Sequence, residues 1–269
     1  MYVRFGLYRE TLSLPDISST TVPMFAQSMH YYARCLAAAV VIEDVSLSLQ
    51  YLESLRVSVG LIPVDTKPIS HAFYPYHQEM GHLMLWLGEC ALNVAYVRRT
   101  HDETLSNQLD KYKPLRAGKE GTDLGSRSSN LAVSEVSERI MLTFDALHRA
   151  IALQDSFKYM EPENFYLPIR QCLAAFHLFV CEVQGLTAVS PDSRWGCNVT
   201  AAIHIYREDL QHHPHNVWSE QGLQKALRML SVGDFIDGVP VVPPGTGSNM
   251  DEKSGSCCEL GLCNPLSYQ

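Results

Sequence analysis

The sequence predicts an all-α protein, built of helical hairpins stacked as a short solenoid with irregular insertions and a flexible C-terminal tail. Three observations carry this reading. Apolar residues recur at three- and four-residue spacing in one segment after another, and no segment alternates apolar and polar residues as a half-buried strand would. Pro63, Pro162 and Pro214 punctuate these segments. The run YREDLQHHPHNVWSEQG, residues 206–222, joins a helix that stops at Pro214 to one that opens at Asn216, with Trp218 and Gly222 one turn apart. A bulky aromatic followed by a small residue four positions later lets antiparallel helices approach closely, and repetition of that unit makes a solenoid.

Residues 22–59 read as a helical hairpin. Thr21 is the expected N-cap and Pro23 is tolerated in the first turn. The first helix, MFAQSMHYYARCLAAAVV, presents Tyr31, Cys35 and Ala38 on one face. Asp44 caps the second, where Leu47, Tyr51 and Leu55 recur every four residues beside Leu52, and Gly60 then Pro63 stop it. From 61 to 126 the pattern weakens to a single helix over about 78–99, followed by an exposed loop, KYKPLRAGKEGTDLGSRSSN. Helical periodicity resumes at Asn130; Phe144, Leu147, Ala150 and Ile151 share a face, and Pro162 ends the helix.

The next helix, NFYLPIRQCLAAFHLFV, has Pro168 near its start and packs Leu173, Ala174 and Phe176. Gly185, Pro191 and Gly196 then break the period over residues 181–200. Two helices follow, at 201–213, with Ala202, Ile205, Tyr206 and Leu210 on one face, and at 218–230. Residues 1–230 are thus expected to form one repeat domain with insertions at about 61–127 and 181–200. Residues 231–269, rich in Gly, Pro, Ser and Cys, are expected to be a disordered or loosely docked tail.

With 269 residues and 46% hydrophobic content there is ample material for a core. A net charge of -8 and a pI near 5.7 argue against nucleic-acid binding, which needs a basic surface to displace phosphate counterions. The most apolar window, from Leu83 to Val97, contains Glu89 and Asn93 and falls short of the ~20 residues of a membrane span. The opening MYVRFGLYRE lacks the apolar core of a secretion signal. A soluble cytoplasmic protein is expected. Cys35, Cys90, Cys172, Cys181 and Cys197 read accordingly as small buried hydrophobes in a reducing compartment. Cys257, Cys258 and Cys263 cluster in SGSCCELGLC without the paired knuckles of a zinc site; lipidation, redox chemistry or a plain flexible tail stay open for them.

The run ALQDSFKYMEPENFYLPIRQCLAA, followed by IYREDLQHHPHNVWSEQGLQKAL, resembles a group of tetratricopeptide-repeat proteins. In that group an acidic-aromatic-Pro-Arg stretch precedes a helix, and a Tyr-Arg-Glu-Asp-Leu helix ends in Asn/His-Pro ahead of an Asn-x-Trp-Ser helix. YVRFGLYRETL, HYYARCLAAA and SCCELGLC are similar to the same group. The likeness covers about two thirds of the chain by this reading and is most specific between residues 150 and 227. It implies that Ala202, Tyr206 and Pro214 belong to the second helix of one repeat, and Trp218 and Gly222 to the first helix of the next. Cys35, Leu47, Tyr51 and Ser54 take the corresponding places in an earlier hairpin. The separation of Leu173 from Ala202 exceeds an uninterrupted repeat, as does that of Gly60 from Asn130, either through surface insertions or through an imperfect gene model. The group also carries a longer, His-containing N-terminal segment not found here, so no chemistry tied to that segment transfers.

The chemistry-bearing residues read quietly. His212, His213 and His215 flank Pro214 and point in different directions at a helix end, where imidazoles are favoured by the dipole. His71, His77 and His82 lack the HExxH spacing, and no nucleophile elbow, P-loop or dinucleotide glycine pattern occurs. The sequon Asn198-Val199-Thr200 has little weight without a secretion signal. Glu161 and Glu163 near Arg170 read as part of a Pro-fixed turn. The expected function is a non-catalytic scaffold that holds a protein or peptide partner in a concave groove lined by Tyr31, Arg34, Arg170, Gln171 and Gln221. It calls for no cofactor, no metal, no nucleic acid and no membrane. The alternatives are a metal-binding or enzymatic protein using the His and Cys residues, or a fragment of a larger repeat protein whose activity lies in a missing N-terminal part.

Overall fold

The computed structural model describes residues 8–17, 22–66, 76–112, 125–157, 169–183, 196–212 and 214–233. Every regular element among them is a helix: α1 (Tyr8–Ser13), α2 (Met24–Val40), α3 (Val45–Gly60), α4 (His77–Tyr112), α5 (Gly125–Ser156), α6 (Ile169–Glu182), α7 (Val199–His212) and α8 (Val217–Gly233). None of them is long and apolar enough to cross a membrane.

Local chemistry sets several of these boundaries. The Asp44 carboxylate accepts from the Leu47 N–H at 2.9 Å and starts α3 as expected. Asn198 does the same for α7, accepting from Ala201 N–H at 2.8 Å. At α2 the preceding position belongs to Pro23, which has no side chain to cap with, and Gln27 Nε2 instead donates to the Val22 carbonyl at 2.8 Å. Thr21, the expected cap, lies outside the described residues.

The middle of the chain differs from expectation. Helix α4 continues past Arg99 to Tyr112, and α5 already includes GSRSSN, so helix fills much of the stretch read as irregular. The sequence from Thr100 to Tyr112 has no Gly or Pro, its apolar residues reduce to Leu105, Leu109 and Tyr112, and local pairs help propagate the helix. Arg99 and Glu103 pair at 2.9 Å across one turn, while Thr100 and Thr104 hydroxyls bond back to carbonyls four residues earlier. Periodicity sees only buried faces, so it ended the helix too soon.

Helices pack in chain order. α1 rests on α2, α2 on α3, α4 on α5, α6 on α7 and α7 on α8; α2 and α3 also meet α4, α5 meets α6, and α6 meets α8. Gly81 and Gly88, two turns apart on α4, admit α3 closely: a Cβ at Gly81 would sit 2.9 Å from Val59 Cγ1, and one at Gly88 3.1 Å from Leu52 Cδ1. Inside the α2–α3 hairpin, the Ser28 and Ser58 hydroxyls lie 2.9 Å apart and Ser48 Oγ donates to the Cys35 carbonyl at 3.2 Å. Between α4 and α5, Arg139 donates to Asn93 Oδ1 at 3.1 Å and lies over the Tyr96 ring.

Two apolar clusters result. The larger runs from α1 to α6 and includes Tyr32, Leu55, Leu87, Ile140, Phe144 and Phe176, the last two edge to face at 4.8 Å. The smaller contains Ala174, Leu178, Ala202, Ile203, Tyr206 and Ala226, from α6, α7 and α8. Helix α6 therefore feeds both and is buried nearly all round.

The cysteines need a correction. Cys35, Cys90 and Cys172 are buried free thiols, but Cys181 and Cys197 form a disulfide. Sixteen positions separate them in sequence, yet antiparallel packing of α6 and α7 brings the end of one helix beside the start of the next. The tail beyond Gly233, with Cys257, Cys258 and Cys263, lies outside the described residues, as do His71, His213, Glu161, Glu163 and the insertion glycine and prolines Gly185, Pro168 and Pro191.

Candidate functional site

The five residues expected to line one groove have different fates. Arg34 is buried in α2, its guanidinium donating to Tyr51 Oη at 2.9 Å, lying over the same ring and donating also to the Leu14 carbonyl. It ties α2 to α3 and to the segment after α1. Gln171 is likewise interior, only 2% exposed. Arg170 is partly exposed but engaged, pairing with Asp155 of α5 at 2.8 Å and Glu208 of α7 at 3.6 Å. Tyr31 is half-buried and Gln221 is exposed on α8. The repeat architecture implied that the first helix of each pair lines the groove, and α2 and α6 instead carry Arg34 and Gln171 inward.

Gln171 belongs to a polar network that sequence reasoning missed. Asn216, immediately before α8, donates through Nδ2 to Asp209 Oδ2 at 2.8 Å and to Gln171 Oε1 at 3.3 Å. Ser219 Oγ donates to Asp209 Oδ2 at 2.5 Å and lies 3.2 Å from Asn216 Nδ2, while Asn216 Oδ1 accepts from the Trp218 N–H at 3.3 Å. Asp209 and Ser219 are fully buried, at 1% and 0%. The cluster knots α6, α7 and α8 around the turn at Pro214, and His215 there takes a φ of 70° to make the reversal. A signal existed: Asp209, Asn216 and Ser219 all stand inside the YREDL and NVWS runs. Its satisfied geometry makes it structural, with no polar group aimed at an open cavity.

Two shallow, open depressions lie on the surface of the described residues. One, about 340 Å³, runs between α2 and α3, with Met24, Gln27 and Tyr31 on one wall and Glu53, Ser54, Val57 and Leu61 on the other. Val57 and Leu61 are well exposed there, at 64% and 62%. The other, about 470 Å³, is polar, bounded by Glu43, Arg99, Asp102, Glu103 and Ser106. Arg99 in it is already paired with Glu103. Among the described residues, no group of three or more His, Cys, Asp or Glu is placed to hold a metal ion.

The largest shifts fall on groups in the core. Burial, reinforced by nearby His148, pushes the His177 imidazole down to about 4, and its Nδ1 has no hydrogen-bond partner among the described residues. It lies against the Phe144 ring at 4.7 Å. Burial pushes the Cys35 thiol up to about 12 and raises Cys90 as well, leaving both unreactive as nucleophiles. No family model matches the chain, and no curated protein or solved structure matches it.

Proposed function

We propose that the chain is a non-catalytic, cytoplasmic interaction scaffold of the tetratricopeptide-repeat type, which binds a peptide or a partner helix. The observation that supports it most is the order of packing. α2 meets both its hairpin partner α3 and the opening helix of the next hairpin, α4; α6 likewise meets α7 and α8. Hairpins laid in file in this manner present a continuous face instead of a closed reactive cleft. The 36 and 32 residues of α4 and α5 depart from the regular repeat and give the middle hairpin a longer reach.

With Arg34 and Gln171 taken up inside, the surface available to a ligand near the predicted set is the α2–α3 groove around Tyr31, Val57 and Leu61. An amphipathic segment suits it, apolar side chains resting on Val57 and Leu61 and polar ones meeting Gln27 and Glu53. The test is affinity capture with the wild-type chain beside Val57→Asp and Tyr31→Ala, each checked for unchanged helical content. A partner held by the wild type and released by both variants supports the reading. Equal capture by all three, or stoichiometric zinc or iron in the purified chain, overturns it.

A further inference from the structure

The disulfide joins two places that matter for how the end of the chain is held. Cys181 lies in the last turn of α6, and Cys197 immediately precedes Asn198, the cap of α7. It therefore fixes where α7 begins relative to α6. Without it, α7 and α8 rest on the rest of the molecule through a small apolar cluster, half of whose six buried members are alanines, and through Ile205, the one α7 side chain set against the larger cluster, together with the Gln171–Asp209–Asn216–Ser219 network and the Arg170–Glu208 and Lys225–Glu182 pairs. The α1–α6 core is several times larger and contains neither cysteine of the bridge. A small core gains most from a covalent staple.

Access divides the thiols. Cys181 and Cys197 are half-buried, whereas Cys35, Cys90 and Cys172 are buried. We propose that Cys181–Cys197 is a site of reversible thiol–disulfide exchange with small-molecule thiols, and that its opening loosens α7–α8 while leaving α1–α6 intact. In the exchange, a thiolate of the small molecule attacks one protein sulfur, and the other leaves as a thiolate and is protonated. A second small-molecule thiol then displaces the first as its own disulfide. Two small thiols are oxidised, and the protein gains two thiols. In a reducing cytoplasm such a bond is transient and sensing in character, not permanent. The inference does not depend on what the scaffold binds.

Amide hydrogen exchange of the full chain, before and after equilibration with reduced glutathione, tests it, with alkylation and mass spectrometry reporting each thiol. The expected result is alkylation of Cys181 and Cys197 and not of the three buried thiols. Exchange in α7–α8 should quicken by about a hundredfold, the effect of losing a loop closure of this length, with α2–α5 unchanged, and glutathione disulfide should restore protection. The double variant Cys181→Ser, Cys197→Ser should match the reduced wild type. A bond that survives a large excess of glutathione, unchanged exchange after reduction, or loosening of α2–α5 along with α7–α8 overturns the proposal. If the double variant does not fold, reduced wild type decides: its global unfolding counts against a local lock.

Discussion

Gly222 shows how much can rest on a missing side chain. A Cβ there would overlap the Tyr206 ring, and Tyr206 is almost wholly buried. Gly222→Ala is expected to destabilise the protein by about 1–3 kcal/mol through overpacking, read from denaturant unfolding. Replacing Tyr206 by Leu in the same chain should recover part of that loss, because the ring is what the new methyl meets. The small residue was visible in the sequence, but it was paired there with Trp218. Which ring lies across from it depends on the register between two helices, and no local pattern encodes that. Asp209 is a second case. Asp209→Ala takes the acceptor from the Ser219 hydroxyl and the shortest of its bonds from the Asn216 amide, and should cost about 1–3 kcal/mol, with Trp218 fluorescence reporting the disturbed turn. Asp209 stands inside the YREDL run beside Arg207 and Glu208, and only the third helix arriving at the turn gives it partners.

Among the elements, α6 carries the clearest pH signature. His177 ordinarily titrates near 6.5, and its folded value is about 4, so the unfolded chain binds the extra proton over that interval. The stability tied to the neutral ring is complete above 6.5 and drains away as the pH falls towards 4, by about 3 kcal/mol in all. Urea midpoints measured from pH 7 to pH 4 should show this limb, and His177→Leu should flatten it. α3 and α7 were the most legible elements, since Asp44 marked one start and the Tyr206 stripe marked the other. α4 was the least legible beyond Arg99, where backbone propensity and a surface ion pair help sustain the helix. α6 differed in another way: Gln171, expected in a groove as a first-helix residue, is interior because the helix is buried nearly all round.

At the scale of the molecule, the all-helical class followed from the sequence because period alone separates helix from strand. The arrangement of helices followed less directly, and the Cys181–Cys197 bridge not at all, since scattered cysteines carry no pairing information until the chain is folded. Charge substitutions on α3 should leave the fold untouched: Val57→Asp sits on an outer face, and its effect on thermal midpoint should stay within that of about 0.5 kcal/mol. The two clusters also predict uneven opening, with α8 exchanging its amides sooner than α2 or α4.

Helix α6 gives most of its apolar residues to the larger cluster and only Ala174 and Leu178 to the smaller. Detachment of the last two helices would consequently bare Ala174, Leu178 and the patch beneath Ile205, while the greater part of the apolar interior stays covered. The molecule has, in effect, a hem that can come undone without unravelling the cloth.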